Sequence, residues 1–110
     1  MPEALWSVGL DDEIIRVVDA DGIRSAAPLA DLGAIVIETN DSGPWGADLW
    51  WIFDGPDGAM ASFPEGATGE QGVIDYLMTL PGFDFDKHGQ AVRSTDNASF
   101  VVWKRKETRG

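Results

Sequence analysis

Short runs of β-branched and aromatic residues, separated by Gly, Pro, Asp and Asn, dominate the first half of the chain and are typical of β-strands. The segment 14–28 is predicted to be a β-hairpin, because Asp21-Gly22 in its middle supplies a turn that tolerates positive φ. Pro28 ends the second strand or places it at a sheet edge. Similar runs predict further strands at 34–39, 47–53 and 59–63.

The hydrophobic period changes after the Gly-containing segment 64–72. From Gly69 onward apolar residues recur at helical spacing, so a helix is predicted over 69–80, with the apolar positions Val73, Ile74, Leu77 and Leu80. Thr68 is its predicted N-cap, and Gln71 is the capping-box partner three residues later. Pro81-Gly82 ends the helix.

A second, shorter helix is predicted at about 85–92, with Asp84 or Asp86 as its N-cap. A last strand follows at 99–103, and the basic tail 104–110 is expected to be frayed. The order β-β-β-β-β-α-α-β indicates an α+β fold in a single domain that spans residues 1–110. We expect one antiparallel sheet of five to six strands with both helices, 69–80 and 85–92, on one face.

Two adjacent tryptophans, Trp50 and Trp51, must point to opposite faces of this sheet, because side chains alternate along a strand. The segments 34–37 and 100–103 are also apolar at consecutive positions, whereas a half-solvated sheet would alternate apolar with polar residues. Two short helices can bury one face only. The other face therefore needs the N-terminal segment around Trp6, strong sheet curvature or a second chain.

A third tryptophan, Trp45, lies in the predicted loop Gly43-Pro44-Trp45-Gly46. A loop tryptophan between rigid neighbours is typical of an interface anchor. The competing interpretation is that its ring folds back over the end of the core, since tryptophan is highly buried on average. Trp45, Trp50 and Trp51 are therefore the candidate anchors of a binding surface, and the anchor would be whichever of them is exposed.

Three acids lie near one another in the sequence, in or beside the same loop: Glu38, Asp41 and Asp48. They could steer a basic partner towards the tryptophans. A desolvated pair of carboxylates could instead perform acid–base chemistry, or the three acids could bind a divalent cation. The spacing of these residues does not favour either kind of chemistry.

Charge is distributed unevenly over a chain whose net charge is −11. Residues 1–66 contain 13 acidic residues against two basic ones, a balance of −11, and residues 67–110 contain six of each. Such a field repels nucleic acid and anionic membranes and attracts a basic protein. The same charge is also consistent with a role in solubility alone.

Several kinds of site lack the residues that they require. There are no cysteines, so disulfides and thiolate metal sites are excluded. His88 is the only histidine, and we interpret it as a surface residue of the short second helix. Residues 64–70 lack the lysine of a phosphate-binding loop, so no cofactor is predicted. The chain start lacks the basic and apolar regions of a secretory signal, and no run approaches the roughly 18 apolar residues of a membrane helix, so we expect a cytoplasmic protein.

Four segments resemble a pattern found in small single-domain bacterial proteins of unknown function. They are "ETNDSGP…DLWW" (38–51), "PEGATGE" (64–70), "LPGFD" (80–84) and "STDN..F..W" (94–103), and the resemblance extends over about 34–103. It implies no activity and no catalytic residue. More loosely, a small acidic chain without catalytic motifs resembles the immunity and antitoxin proteins that neutralise basic toxins.

These observations lead to three hypotheses from different classes. The first is a non-catalytic interaction domain whose acidic, Trp-bearing surface binds a basic protein, with an immunity-type inhibitor as its most concrete form. The second is a small carboxylate- or metal-dependent hydrolase that uses the 38–48 loop. The third is a structural homodimer that buries the second apolar face of the sheet.

Overall fold

The computed structural model describes residues 5–40, 48–94 and 96–105. These residues form strands β1 (Ser7–Asp11), β2 (Ile14–Val18), β3 (Arg24–Pro28), β4 (Ala34–Asn40), β5 (Asp48–Gly55), β6 (Gly58–Pro64) and β7 (Ala98–Lys104). Helices α1 (Glu70–Leu77) and α2 (Phe85–Arg93) lie between β6 and β7, and a short 3₁₀ helix spans Leu29–Asp31. The fold is therefore α+β, as predicted, and no helix in the described ranges is long and apolar enough to cross a membrane.

The strands form two antiparallel sheets, and the prediction of a single sheet was wrong. One sheet has three strands in the order β1-β2-β3, and the other has four in the order β6-β5-β4-β7. The division falls at Pro28, where β3 ends and the 3₁₀ helix begins. Leu29 N donates to Glu13 O and so continues the β2–β3 pairing by one residue, after which β4 begins the second sheet.

Strand β1 is the element that the predicted order omitted. Its apolar residues Val8 and Leu10 alternate with smaller or polar ones, which is a weak strand signal. The turn to β2 uses Asp12 and Glu13, both at positive φ (52° and 61°). Such turns usually contain Gly or Asn, so this acidic pair gave no turn signal in the sequence.

The β2–β3 hairpin confirms the predicted turn at Asp21-Gly22. Gly22 has a φ of 83°, and the Asp19 carboxylate accepts hydrogen bonds from Asp21 N (2.8 Å) and Ile23 N (2.9 Å). Along β2, Ile15 and Val17 are buried and Arg16 is exposed, so this sheet has one core face and one solvated face.

Helix α1 is shorter than predicted, and its N-cap is Gly69 rather than Thr68. The backbone of Thr68 instead pairs with β1, since Val8 N donates to Thr68 O (2.8 Å) and Thr68 N to Trp6 O (2.9 Å). Gly69 has a φ of 89°, and an added Cβ would collide with the carbonyl oxygen of Val8. A glycine is therefore required where the three-stranded sheet meets α1.

Helix α2 begins at the predicted cap. The Asp84 carboxylate accepts from Lys87 N (2.9 Å), which satisfies a free donor of the first turn. Asp84 N also donates to Val102 O (2.6 Å) and so attaches the start of the helix to β7.

The core lies between the four-stranded sheet on one side and the helices and the three-stranded sheet on the other. Trp51 in β5 is only 2% exposed, and its ring stacks on that of Phe63 in β6 (centroids 6.5 Å apart, planes at 13°). Both sheets and both helices contribute to one buried cluster, which includes Ile15, Val17, Ile35, Ile37, Trp51, Phe53, Phe63, Val73, Leu77 and Val102.

The predicted frayed tail, 104–110, begins inside ordered structure. Lys104 is the last residue of β7. The Arg105 guanidinium donates through Nε to Leu32 O (2.7 Å) and through Nη2 to Leu29 O (2.9 Å). Residues 106–110 lie outside the described part of the chain, so their fraying stays a prediction.

Candidate functional site

The four-stranded sheet has a second face, opposite the helices, which we call the outer face. Strand pairing places eight residues in two rows across it, and they are Val36, Glu38, Trp50, Ile52, Ser62, Pro64, Ser99 and Val101. Because residues directly opposite each other in neighbouring strands lie roughly 5 Å apart, each row is a continuous line of side chains.

The first row is largely apolar. Val36 in β4 pairs with Ile52 in β5 on one side and with Val101 in β7 on the other. The β4–β7 register shifts beside Val36, because Val36 pairs with Val101 and Ile35 with Trp103. Val102 between them is buried while Val101 is 48% exposed, since consecutive strand residues face opposite sides of the sheet.

The second row combines an aromatic ring with a charge. Glu38 is exposed and pairs with Trp50 on one side and Ser99 on the other, while Trp50 also pairs with Pro64. The Trp6 ring packs edge-on against Trp50, with centroids 5.4 Å apart and planes at 85°. The N-terminal segment thus contributes to the outer face, which was one of the three expectations from the sequence.

The structure separates two of the three candidate tryptophans. Trp50 lies partly buried on the outer face, whereas Trp51 faces the core, is only 2% exposed and takes no part in the outer face. Trp45 falls outside the described residues.

The candidate acids are described only in part. Glu38 lies directly opposite Trp50 in the second row of the outer face. The backbone of Asp48 pairs with Asn40, and its side chain is outside the described part, as is all of Asp41. Within the described ranges, no three His, Cys, Asp or Glu side chains come together in a way that could hold a metal ion.

Sequence reasoning did not identify the first row of the outer face. A signal was present, because Trp50 and Ile52 alternate with the core residues Trp51 and Phe53 along β5. Only the register of the sheet shows that Val101, about fifty positions further along the chain, completes the same row.

His88, interpreted from the sequence as a surface residue, is only partly exposed. Its ring packs 5.7 Å from the Trp51 ring and 5.9 Å from the Phe83 ring, on the helix side of the sheet. This burial lowers the pKa of His88 below its usual value of 6.5, because the charged form loses hydration. Burial therefore favours the neutral form of the ring.

His88 also lines a cleft between the two helices, which we call the α1–α2 cleft. The cleft has a volume of about 190 Å³. Its lining comes from α1, α2 and the β5 and β6 ends, and comprises Leu49, Trp51, Glu65, Glu70, Gln71, Ile74, Met78, His88 and Val92.

No family model, curated protein or solved structure matches this chain. A function must therefore be inferred from the chemistry of its own surfaces.

Proposed function

We propose that this protein is a non-catalytic interaction domain that binds a basic protein through the outer face of its four-stranded sheet. The observation that carries the proposal is the pairing of Trp50 with Glu38, beside the apolar row of Val36, Ile52 and Val101. A tryptophan surrounded by aliphatic side chains is a typical anchor, and a neighbouring charge selects the partner.

The charge of the chain supports a basic partner. Glu38 lies between Trp50 and Ser99, with no cation in its row, and residues 1–66 contain 13 acids against Arg16 and Arg24. A field of this sign accelerates encounters with a positively charged protein. In the proposal Asp41 and Asp48 add to this steering, as the sequence predicts. An inhibitor of the immunity type, bound to a basic toxin, is its most concrete form.

A homodimer through the same face is less favourable on electrostatic grounds. A two-fold interface on this face would bury both copies of Glu38 and press two chains of net charge −11 against each other. Like charges at an interface cost several kcal/mol by rough estimates. A basic partner removes this repulsion and gains attraction instead.

The hydrolase hypothesis requires a concave site built from Glu38, Asp41 and Asp48. The one side chain of this set that the structure describes, Glu38, is exposed and has Trp50 and Ser99 as its cross-strand neighbours. No observation on the described residues favours catalysis at this place.

The proposal is tested by affinity capture from the native source with three versions of the protein. These are the unaltered chain, Glu38→Lys on the outer face, and Asp57→Lys in the exposed β5–β6 turn. Both variants change the net charge by the same amount. We expect one stoichiometric basic partner with the unaltered chain and with Asp57→Lys, and its loss with Glu38→Lys.

The captured partner then allows a kinetic test. Glu38→Gln should slow association severalfold at low salt and flatten its dependence on ionic strength, whereas Trp50→Ala should mainly accelerate dissociation. A Trp45→Ala version measured alongside tests the predicted loop anchor. Capture that is equal for all three charge versions would exclude the outer face as the interface, and no partner at all would favour the homodimer.

A further inference from the structure

The α1–α2 cleft has the construction of a small binding site. Trp51 and Leu49 form its floor, Ile74 and Met78 form the wall from α1, and His88 and Val92 form the wall from α2. Its volume of about 190 Å³ exceeds the roughly 150 Å³ of an apolar cavity known to take up benzene. One apolar side chain therefore fits.

The helix beside the cleft exposes more apolar surface than folding requires. Phe85 is 60% exposed and Val92 is 51% exposed, and the spacing of Phe85, His88 and Val92 places them on one face of α2. Large apolar side chains grouped next to a concave site are typical of an interaction surface. Val92 lines the cleft itself, and Phe85, whose ring packs edge-on against that of Phe83, lies at the N-terminal end of the same helix face.

The other end of the cleft is acidic. Glu65 and Glu70 line it together with the neutral Gln71, and among the described residues no lysine or arginine lines it. Glu70 Oε2 accepts a hydrogen bond from Gly66 N (2.6 Å), so the backbone holds this carboxylate in place. Burial lowers the pKa of His88, which disfavours a positive charge there that would offset the two carboxylates. The cleft thus offers an apolar floor and an anionic mouth.

We propose that the α1–α2 cleft is a second docking site, which accepts one apolar side chain of a polypeptide segment whose next residues are arginine or lysine. The apolar side chain enters between Ile74, Met78 and Val92, and the cation lies against Glu65 and Glu70. Because Trp50 and Trp51 face opposite sides of the sheet, this site is on the other side of the molecule from the outer face. It binds independently of that face.

The proposal is tested by NMR titration of the ¹⁵N-labelled full chain with three terminally blocked tripeptides. They are Leu-Arg-Arg, Ala-Arg-Arg, which lacks the large apolar group, and Leu-Glu-Glu, which reverses the charge. We expect Leu-Arg-Arg to shift the Trp51 indole N–H and the His88 and Val92 amides. The other two peptides should bind at least about fivefold more weakly, since each lacks one of the two complementary features.

Matched variants locate the binding. In the double variant Glu65→Gln and Glu70→Gln, the amide oxygen at 70 still accepts from Gly66 N, and the affinity for Leu-Arg-Arg should fall about two- to fivefold per charge removed. Asp12→Asn with Asp57→Asn removes the same net charge away from the cleft and should leave the affinity unchanged.

The apolar part of the site is tested with Val92→Lys, which places a cation at the mouth on an exposed position and should abolish the shifts. Two results would overturn the proposal: no shift at millimolar Leu-Arg-Arg, or equal weakening by the two double variants. Neither result bears on the outer face, because Glu38→Lys reports on that surface separately.

Discussion

Trp50 and Trp51 are neighbours in the chain and lie in different physical environments. Trp51 is 2% exposed and packs on Phe63 and His88 beneath the helices. Trp50 is partly buried on the outer face, with Glu38 opposite it and the edge of Trp6 against its ring. One residue of displacement along a strand therefore separates a core residue from a candidate interface residue.

The two faces differ in what packs against them. On the core face, α2 lies against β7 and β4, and α1 lies against β1, so that the buried side chains of both sheets join in one cluster. On the outer face, Val101 is 48% exposed and a charged side chain, Glu38, sits in the middle of the rows. Stability is expected to depend on the first face and binding on the second.

The largest effect is expected from shortening the two tryptophans. Trp51→Ala removes a fully buried ring and should lower the free energy of unfolding by about 3–5 kcal/mol. Trp50→Ala should cost about 1–2 kcal/mol, because its ring keeps part of its contact with water in the native state. Urea denaturation of both variants measures the difference. Equal losses would mean that the two faces contribute equally to folding.

The junction between β1 and α1, which closes the core face, gives the next largest effect. Gly69→Ala combines a positive φ with a collision against Val8 O, and should cost at least about 2 kcal/mol. Gly72→Ala is the matched control inside α1: apart from its own helix and chain neighbours, no described atom lies within 4 Å of its added Cβ, and we expect a gain of up to about 1 kcal/mol. Thermal unfolding of the two variants should therefore shift in opposite directions, and a shift in one direction would contradict the described junction.

A smaller effect is expected from pH, through the one histidine that packs on the core face. Because burial lowers the pKa of His88, the unfolded chain binds more protons than the folded one as the pH falls below 6.5. The contribution of His88 to the free energy of unfolding is therefore fully present above pH 6.5 and is lost as the pH drops through the lowered pKa. Unfolding measured at about pH 7.5 and about pH 5.5 tests this.

His88→Gln is the control for that titration. It removes the histidine and keeps all carboxylates, so the loss of stability between the two pH values should be smaller than in the unaltered protein. An identical loss in both proteins would show that the His88 ring is hydrated like a surface side chain.

The smallest effect on stability is expected at Glu38. Glu38→Val should change the free energy of unfolding by no more than about 0.5 kcal/mol, because the side chain is exposed. It would, however, make the outer face continuously apolar, and we expect concentration-dependent self-association in sedimentation velocity. If Glu38→Val stays monomeric at all concentrations, the outer face is not apolar enough to associate. It would then behave as an ordinary solvent-exposed face of a sheet rather than as an interaction surface.

Much of the local structure follows from residue types near one another in the chain. The hairpin at Asp21-Gly22, the strands β4 to β7, the cap at Asp84 and the opposite orientations of Trp50 and Trp51 were all predictable. Strand β1 was not, because its turn uses Asp12 and Glu13 at positive φ without glycine. The N-cap of α1 was misplaced since the backbone of Thr68 pairs with β1, a partner sixty residues away.

The candidate site, too, was only partly predictable. The sequence alone identified Glu38 and Trp50 as binding candidates, but it also included Trp51. Periodicity shows that the side chains of two adjacent residues point to opposite faces, but it does not show which of them faces the core. The environment of His88 depends on the packing of α2 over Trp51, which no local pattern specifies.

By itself, the sequence determined the strands β2 to β7, the existence of two helices, the acidic charge and the presence of two apolar faces on one sheet, because these depend on residue type and on short hydrophobic periods. Only the tertiary structure decided that there are two sheets, that Val101 joins Val36 and Ile52, and that a cleft with Glu65 and Glu70 opens between the helices. These features depend on strand register and on contacts between distant segments. Which distant segments pack together is decided by the free energy of the whole folded chain, so it cannot be read from any short segment of the sequence.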